Sequence, residues 1–199
     1  MIIAFEGPCL SGKTTVMREV VAMLAARRPI AFPCYVAELS GMPPDPVGPS
    51  QAEQLAATRL FLDIETSRFD RVTSLNQSMV LLDRSIDTLG AHALAVSRYL
   101  GWSNAYSDTI SMIRSEPRIL IPSLTFFFVA PHAELVRRSA SFPQLPPVYY
   151  DPMFLSGFRE HFEGTERFAR DLVFVDALGD PITTASFVVQ ETLSRSTSV

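Results

Sequence analysis

Ile2-Ile3-Ala4-Phe5-Glu6-Gly7-Pro8-Cys9-Leu10-Ser11-Gly12-Lys13-Thr14-Thr15 carries the reading of the whole chain. An apolar run of strand length leads into Gly7, and Gly7 to Thr14 match G-x-x-x-x-G-K-[ST] in full. Beyond Lys13, Val16, Val20, Met23 and Leu24 recur at helical spacing until Arg27-Arg28-Pro29 stops them. A strand, a glycine-containing loop and a helix are the context in which this motif wraps a phosphate. Glycines let the backbone approach the anion, successive N–H groups converge on it, and the helix N-terminus adds partial positive charge. Gly7, Pro8, Cys9, Leu10, Ser11, Gly12, Lys13, Thr14 and Thr15 are therefore the candidate nucleotide-binding set. Within it, Lys13 is expected to reach the β- and γ-phosphates and the Thr14 hydroxyl to meet Mg²⁺.

Composition sharpens that reading. Of 17 basic residues, 16 are Arg and one is Lys, and the one is Lys13. A bias toward Arg explains the sixteen; it does not explain a Lys retained where a compact ammonium serves better than a planar guanidinium. A net charge of −4 over 199 residues leaves no electrostatic footprint for a nucleic-acid polymer or an anionic membrane. The longest apolar stretch, Ile119 to Pro131, is interrupted by Pro122 and falls short of the roughly 20 residues a spanning helix needs. No basic segment precedes residues 1–5 and Glu6 follows them, which argues against a signal peptide. Cys9 and Cys34 read as a reduced pair, so the expectation is a soluble cytoplasmic protein.

Working outward, Ile30 to Ala37 predicts a second strand, and residues 41–49, with four prolines and two glycines, a loop. Ser50-x-x-Glu53 has the capping-box pattern and opens a long helix to about Ser74. Met79 to Leu82 predicts a third strand ended by Asp83, and residues 86–116 two helices broken around Gly101 to Asn104. Thr125 to Val129 is a fourth strand, and His132 to Ser141 another helix. Residues 142–152 form a loop with four prolines, and about 153–170 a helix; Leu172 to Val175 is a fifth strand and 182–194 a last helix. Apolar strands alternating with helices predict an α/β fold: a five-stranded parallel sheet with helices on both faces. With no repeat or linker, residues 1–199 read as one domain.

Asp83 ends a buried strand, and strand carboxyl ends line the ligand crevice of a parallel sheet. One strand over from a phosphate loop, such an acid can hold Mg²⁺ directly or through water; the alternative is an ordinary cap for the helix after Asp83-Arg84-Ser85. At this point the chain resembles a family. Phe5-Glu6-Gly7 before the phosphate loop and Asp83-Arg84-Ser85 after a buried strand are similar to the thymidylate kinase and deoxynucleoside kinase group. Phe127 to Pro131 followed by Arg138 resembles that group's strand, proline and lid-helix arginine, and Val173 to Ala177 its last strand. The resemblance implies a P-loop NTPase fold with a short lid (about 137–152) and ATP·Mg²⁺ as donor. It also implies phosphoryl transfer to a nucleoside or nucleoside monophosphate, with Lys13, Asp83, Arg84 and Arg138 at the reacting phosphates. Homodimerisation is a further family expectation.

The acceptor is less sharply written. A hydroxyl acceptor benefits from a carboxylate, whereas a phosphate acceptor needs Arg clamps. Glu38 sits where deoxynucleoside kinases place a catalytic Glu before Pro, but Leu39 follows it here. Thymidylate kinases usually carry Arg-Glu-Pro, and this chain has Ala37-Glu38-Leu39. Arg68, with Arg59 and Arg71 as rivals, resembles the family's substrate-binding Arg; Glu38, Arg68 and Arg84 form the candidate acceptor set. Phe61 or Phe69 could stack a base or simply pack, and Trp102 reads as packing. Family lids carry further basic residues, yet residues 139–158 contain no Arg or Lys. A guanine-reading Asn-Lys-x-Asp motif is impossible with the one Lys already placed, and an Asp-Glu motor motif is absent. A kinase for small hydroxyl compounds and a non-catalytic nucleotide-binding regulator remain the competing readings.

Overall fold

The computed structural model describes residues 1–75 and 78–196. Five parallel strands form one sheet in the order β2-β3-β1-β4-β5: β1 (Ile2–Glu6), β2 (Ile30–Phe32), β3 (Val80–Asp83), β4 (Leu124–Val129) and β5 (Asp171–Asp176). The expected α/β sheet is present. Because side chains alternate along a strand, β1 divides cleanly. Ile3 and Phe5 face α1 (Lys13–Met23) and α8 (Pro181–Ser196), in a core with Val16, Val20, Phe126, Phe128 and Val188. Ala4 faces the other way, with Phe32, Val80 and Leu82, and Phe69 of α3 (Gln51–Leu75) packs against that cluster. The same parity sends Asp83 toward α1 and Glu6 toward α4 (Ile86–Leu100).

On that second face α4 crosses α7 (Pro152–Glu163), where Ala91, Ala95, Phe154, Phe158 and Phe162 close over Phe127. The crossing needs Gly157, since a Cβ there would lie 2.9 Å from the Ala95 Cα. The short α2 (Tyr35–Glu38), α5 (Ala105–Arg114) and α6 (His132–Ser139) complete the helices. The break between α4 and α5 falls at Gly101, in the left-handed conformation, as the sequence predicts.

Three expected boundaries are corrected. The second strand stops at Phe32 rather than Ala37, because Pro33 has no N–H for the ladder; Cys34 then leads into the turn of α2. The first helix ends at Met23, with a 3-10 turn over Ala25–Arg27 and a left-handed Arg28 before Pro29. The seventh helix ends at Glu163, not near 170. Gly164 halts it, and the Asp87 carboxylate draws the following chain away by accepting from the N–H groups of Phe168 (2.6 Å) and Ala169 (2.9 Å). The start of α3 holds as read, with Ser50 Oγ accepting from Glu53 N at 3.2 Å.

Candidate functional site

The phosphate loop leaves β1 through Gly7 at φ 126°, Leu10 at φ 66° and Gly12 at φ 87°. Left-handed residues at short intervals turn backbone N–H groups to one side, the geometry of an anion nest. Gly7 is obligatory for a second reason: a Cβ there would sit 2.5 Å from the Phe128 carbonyl oxygen of β4. Lys13 lies 5% exposed, its Nζ donating to the Pro8 carbonyl (2.5 Å) and the Ser11 hydroxyl (3.3 Å). Burial, then the neighbouring Arg84 cation, lowers its pKa from 10.5 to about 8, against the pull of Cys9, Asp83 and Glu6. An ammonium held this way gains from an anion entering the loop.

Thr14 Oγ1 donates to Asp83 Oδ2 at 2.5 Å, joining the loop to the end of β3. Two hard oxygens at this point fit Mg²⁺, which keeps waters and phosphate oxygens among its ligands. Among the described residues no group of three or more His, Cys, Asp or Glu side chains could hold a metal alone, so phosphates would have to complete the set. Thr15, the last residue of the expected loop set, is exposed.

Arg84 follows Asp83 with φ 75°, a left-handed conformation that costs a side-chain-bearing residue about 1 kcal/mol or more. Three neighbours hold it there. Its N–H donates to the Phe5 carbonyl (3.1 Å), and its carbonyl accepts from Arg68 Nη1 (3.1 Å). The fully buried Glu6 carboxylate fixes the next residues, accepting from Ser85 N (2.7 Å), Ser85 Oγ (2.8 Å) and Thr88 Oγ1 (2.5 Å). The Arg84 guanidinium reaches Cys9 Sγ (3.3 Å) and lies 5.8 Å from the centre of the Phe158 ring. Burial opposes its charge, but Cys9, Cys34, Glu6 and Asp83 together raise its pKa, so it stays cationic. Arg138 approaches from the opposite side, donating to the carbonyls of Leu10 (2.9 Å) and Ala177 (3.2 Å) and to Glu134. Arg137 pairs with Glu134 and points outward, 71% exposed.

Arg68 and Glu38 stand apart from the phosphate loop. Arg68 is fully buried; it donates to Glu38 Oε1 (2.7 Å), to the carbonyls of Arg84 and Pro33, and to Glu65, with its guanidinium 4.0 Å from the Tyr35 ring centre. Glu65 is itself held by Tyr35 Oη (2.8 Å) and Leu120 N (3.0 Å). Arg71 lies over the Phe32 ring, 4.0 Å from Glu38, and Arg59 is exposed. Neither Arg68 nor Glu38 lines the pocket. Arg68 instead clamps together the two chain segments that do, at Pro33 and Arg84.

That pocket has a volume of about 470 Å³ and runs from Gly7, Lys13, Thr14 and Asp83 to an apolar chamber. Phe61, Leu89, Phe154 and Phe158 wall the chamber, and the Pro-rich segments at 43–46 and 142–146 border it. Lys13 and Arg84 are its lining cations, and Asp45 and Asp83 its lining acids. Phe61 thus meets the cavity, while Phe69 and Trp102 pack in the interior clusters, as expected for the tryptophan. Several lining residues were not expected from the sequence, Cys34 and His92 among them. For Cys34 the signal was present, since Pro33 ends the strand and hands the next position to the pocket. For His92 there was none, because its wall arises from the crossing of α4 and α7.

No family model matches the chain, and no curated protein matches it significantly. Solved structures do. A deoxyadenosine kinase from M. mycoides with bound dATP superimposes with a TM-score of 0.72 at 16% identity, covering 96% of this chain and 99% of that one. The same kinase with dCMP and a flexible dCDP bound gives a TM-score of 0.68 at 15% identity, covering 98% and 100%. Across nearly its whole length, this chain has the P-loop α/β fold of those deoxyadenosine kinases.

Proposed function

We propose that the protein is a nucleoside kinase, a single P-loop unit that moves the γ-phosphoryl group of ATP·Mg²⁺ to a hydroxyl of a nucleoside. The carrying observation is one continuous pocket that joins a phosphate nest to an aromatic chamber, with Lys13 and Arg84 as its lining cations. The donor phosphates engage Lys13. A monophosphate acceptor would bring a further dianion, for which Arg84 alone is a thin counter-charge; a nucleoside brings none. The ligands bound in those deoxyadenosine kinase structures, dATP, dCMP and dCDP, support the same substrate class. A non-catalytic regulator would need no acceptor chamber at all.

The transferring phosphoryl group passes through a loose transition state, so catalysis rests on positioning and on charge neutralisation. The loop N–H groups and Lys13 hold the donor oxygens. Thr14 and Asp83 would hold Mg²⁺, which would supply charge neutralisation at the donor phosphates when bound. Arg84, kept cationic and fixed by Glu6 and Arg68, faces the point where pocket and loop meet. Arg138, anchored on Leu10 and Ala177, already brings its cation to the loop, and we assign it to the donor phosphates. Glu38, expected to take the acceptor proton, would have to leave Arg68 to do so. We assign the Glu38–Arg68 pair to holding the Cys34 and Arg84 walls, with the proton leaving late to a phosphate oxygen.

The test is transfer from labelled ATP·Mg²⁺ across nucleosides, nucleoside monophosphates and small polyols. Transfer to nucleosides is expected; product formed solely from monophosphates or polyols, or none, would overturn the reading. Glu38→Gln should then slow turnover by about tenfold or less, since a general base would cost 10²–10⁴-fold.

A further inference from the structure

Thr88, Leu89 and His92 lie along one face of α4 and all line the pocket. At 1.5 Å per residue, His92 stands about 10 Å along the helix from Ser85, where the helix begins beside Arg84. That is the reach from a reacting sugar hydroxyl to the far edge of a base. The imidazole touches the Phe154 ring edge-on (centroids 5.5 Å, 71°) and the Tyr149 ring (6.4 Å). Among the described residues, its nitrogens have no hydrogen-bond partner. Burial, then the Arg84 cation, lowers its pKa to about 4, so it is neutral at physiological pH and offers one donor and one acceptor nitrogen. Three of the polar groups nearby are engaged: Thr58 Oγ1 donates to the Gln54 carbonyl, Thr88 Oγ1 to Glu6, and Tyr35 Oη to Glu65; among the described residues, the Tyr149 hydroxyl beside the imidazole is not. A half-buried ring with two nitrogens unpaired to protein, facing a cavity that Phe61, Leu89 and Phe158 also line, is placed to pair with a ligand carrying complementary polar atoms.

Building on the kinase reading, we propose that His92 is a specificity-determining residue of the acceptor site, reading the hydrogen-bonding edge of a planar heteroaromatic base. The surrounding Phe61, Phe154 and Phe158 supply apolar contact for the faces of that base. A polyol or an abasic sugar offers neither edge nor face and is excluded by the same chamber.

The experiment compares wild type, His92→Phe and His92→Asn over the four common deoxynucleosides, by kcat/KM and by equilibrium dialysis. In His92→Phe the spread of kcat/KM between best and worst base should collapse by about 10- to 100-fold, with the KM for ATP unchanged within about twofold. His92→Asn, which keeps a donor and an acceptor, should restore part of it. An unchanged spread in His92→Phe overturns the proposal. A wild type that binds nucleosides but transfers nothing refutes the kinase reading alone, and the dialysis arm then decides on His92 by the same criterion. A wild type that binds no nucleoside refutes both. Should a variant misfold, the wild-type His92 ring ¹⁵N resonances carry the test: titration with the best-bound nucleoside must move them, and immobility overturns the assignment.

Discussion

Raising the pH should weaken nucleotide binding while steadying the free protein, because both effects pass through Lys13. Its pKa lies near 8 in the nucleotide-free fold against 10.5 for a solvated lysine. A difference of that size corresponds to about 3 kcal/mol between the charged and neutral forms. Because the folded-state pKa is lowered, the fold carries the cost of a buried ammonium in full below about pH 8. That cost is relieved as the pH climbs toward the unfolded value, so this group makes the free protein more stable over that window. Triphosphate binding runs the other way, since it needs the ammonium. Between pH 7 and pH 9 the protonated fraction falls from about nine-tenths to about one-tenth, so affinity should drop about tenfold; phosphate itself, with a second pKa of ≈ 6, is already ionised. Titration calorimetry with a non-hydrolysable ATP analogue measures this directly. At pH 8, buffers of different ionisation enthalpy should report uptake of about half a proton. Lys13→Met should bind weakly and without the pH slope, and Cys9→Ser should keep the slope, which separates the ammonium from a neighbouring thiol. A wild-type affinity flat from pH 7 to 9, or a slope that survives Lys13→Met, would refute the reasoning.

Gly7→Ala should fail to fold or lose about 3 kcal/mol or more, since its Cβ meets the Phe128 carbonyl and its φ is positive; a urea midpoint near wild type would contradict that geometry. Arg68→Met should cost about 3–5 kcal/mol of stability by leaving the buried Glu65 without its cation and Glu38 with Arg71 alone at 4.0 Å. Full stability with a raised acceptor KM would return Arg68 to direct substrate contact. Gly157→Ala should push α7 off Ala95 and cost about 1–3 kcal/mol, measured by thermal melting; an unchanged Tm would show that the crossing yields freely.

The geometry of the candidate donor half was legible because its parts are close in sequence or set by strand parity. Gly7 to Thr14 fold on themselves, and Asp83 faces Thr14 because a β3 residue paired with Phe5 shares its side of the sheet. The acceptor half depends on which distant segments meet. Arg68 looks like any cation on a helix with Asp63, Glu65 and Asp70, and only Tyr35, Glu38 and the Pro33 carbonyl arriving from β2 and α2 turn it inward. His92 sits in an apolar helix and becomes a pocket residue only once α7 and the Pro-rich segment beside it cross α4. Glu38 was placed by a strand that Pro33 cuts short. The few lid arginines, informative by their scarcity, left the acceptor open until the pocket's charges could be read together.

Transfer into the chamber, rather than hydrolysis at its mouth, is what the proposed kinase must perform. It is tested by incubating the wild-type protein with γ-¹⁸O-labelled ATP, Mg²⁺ and a mixture of nucleosides, then following label by mass spectrometry. ¹⁸O should appear in a nucleoside monophosphate, at a rate that falls by several orders of magnitude in Lys13→Ala. Label recovered as inorganic phosphate alone, with or without nucleoside present, would contradict it.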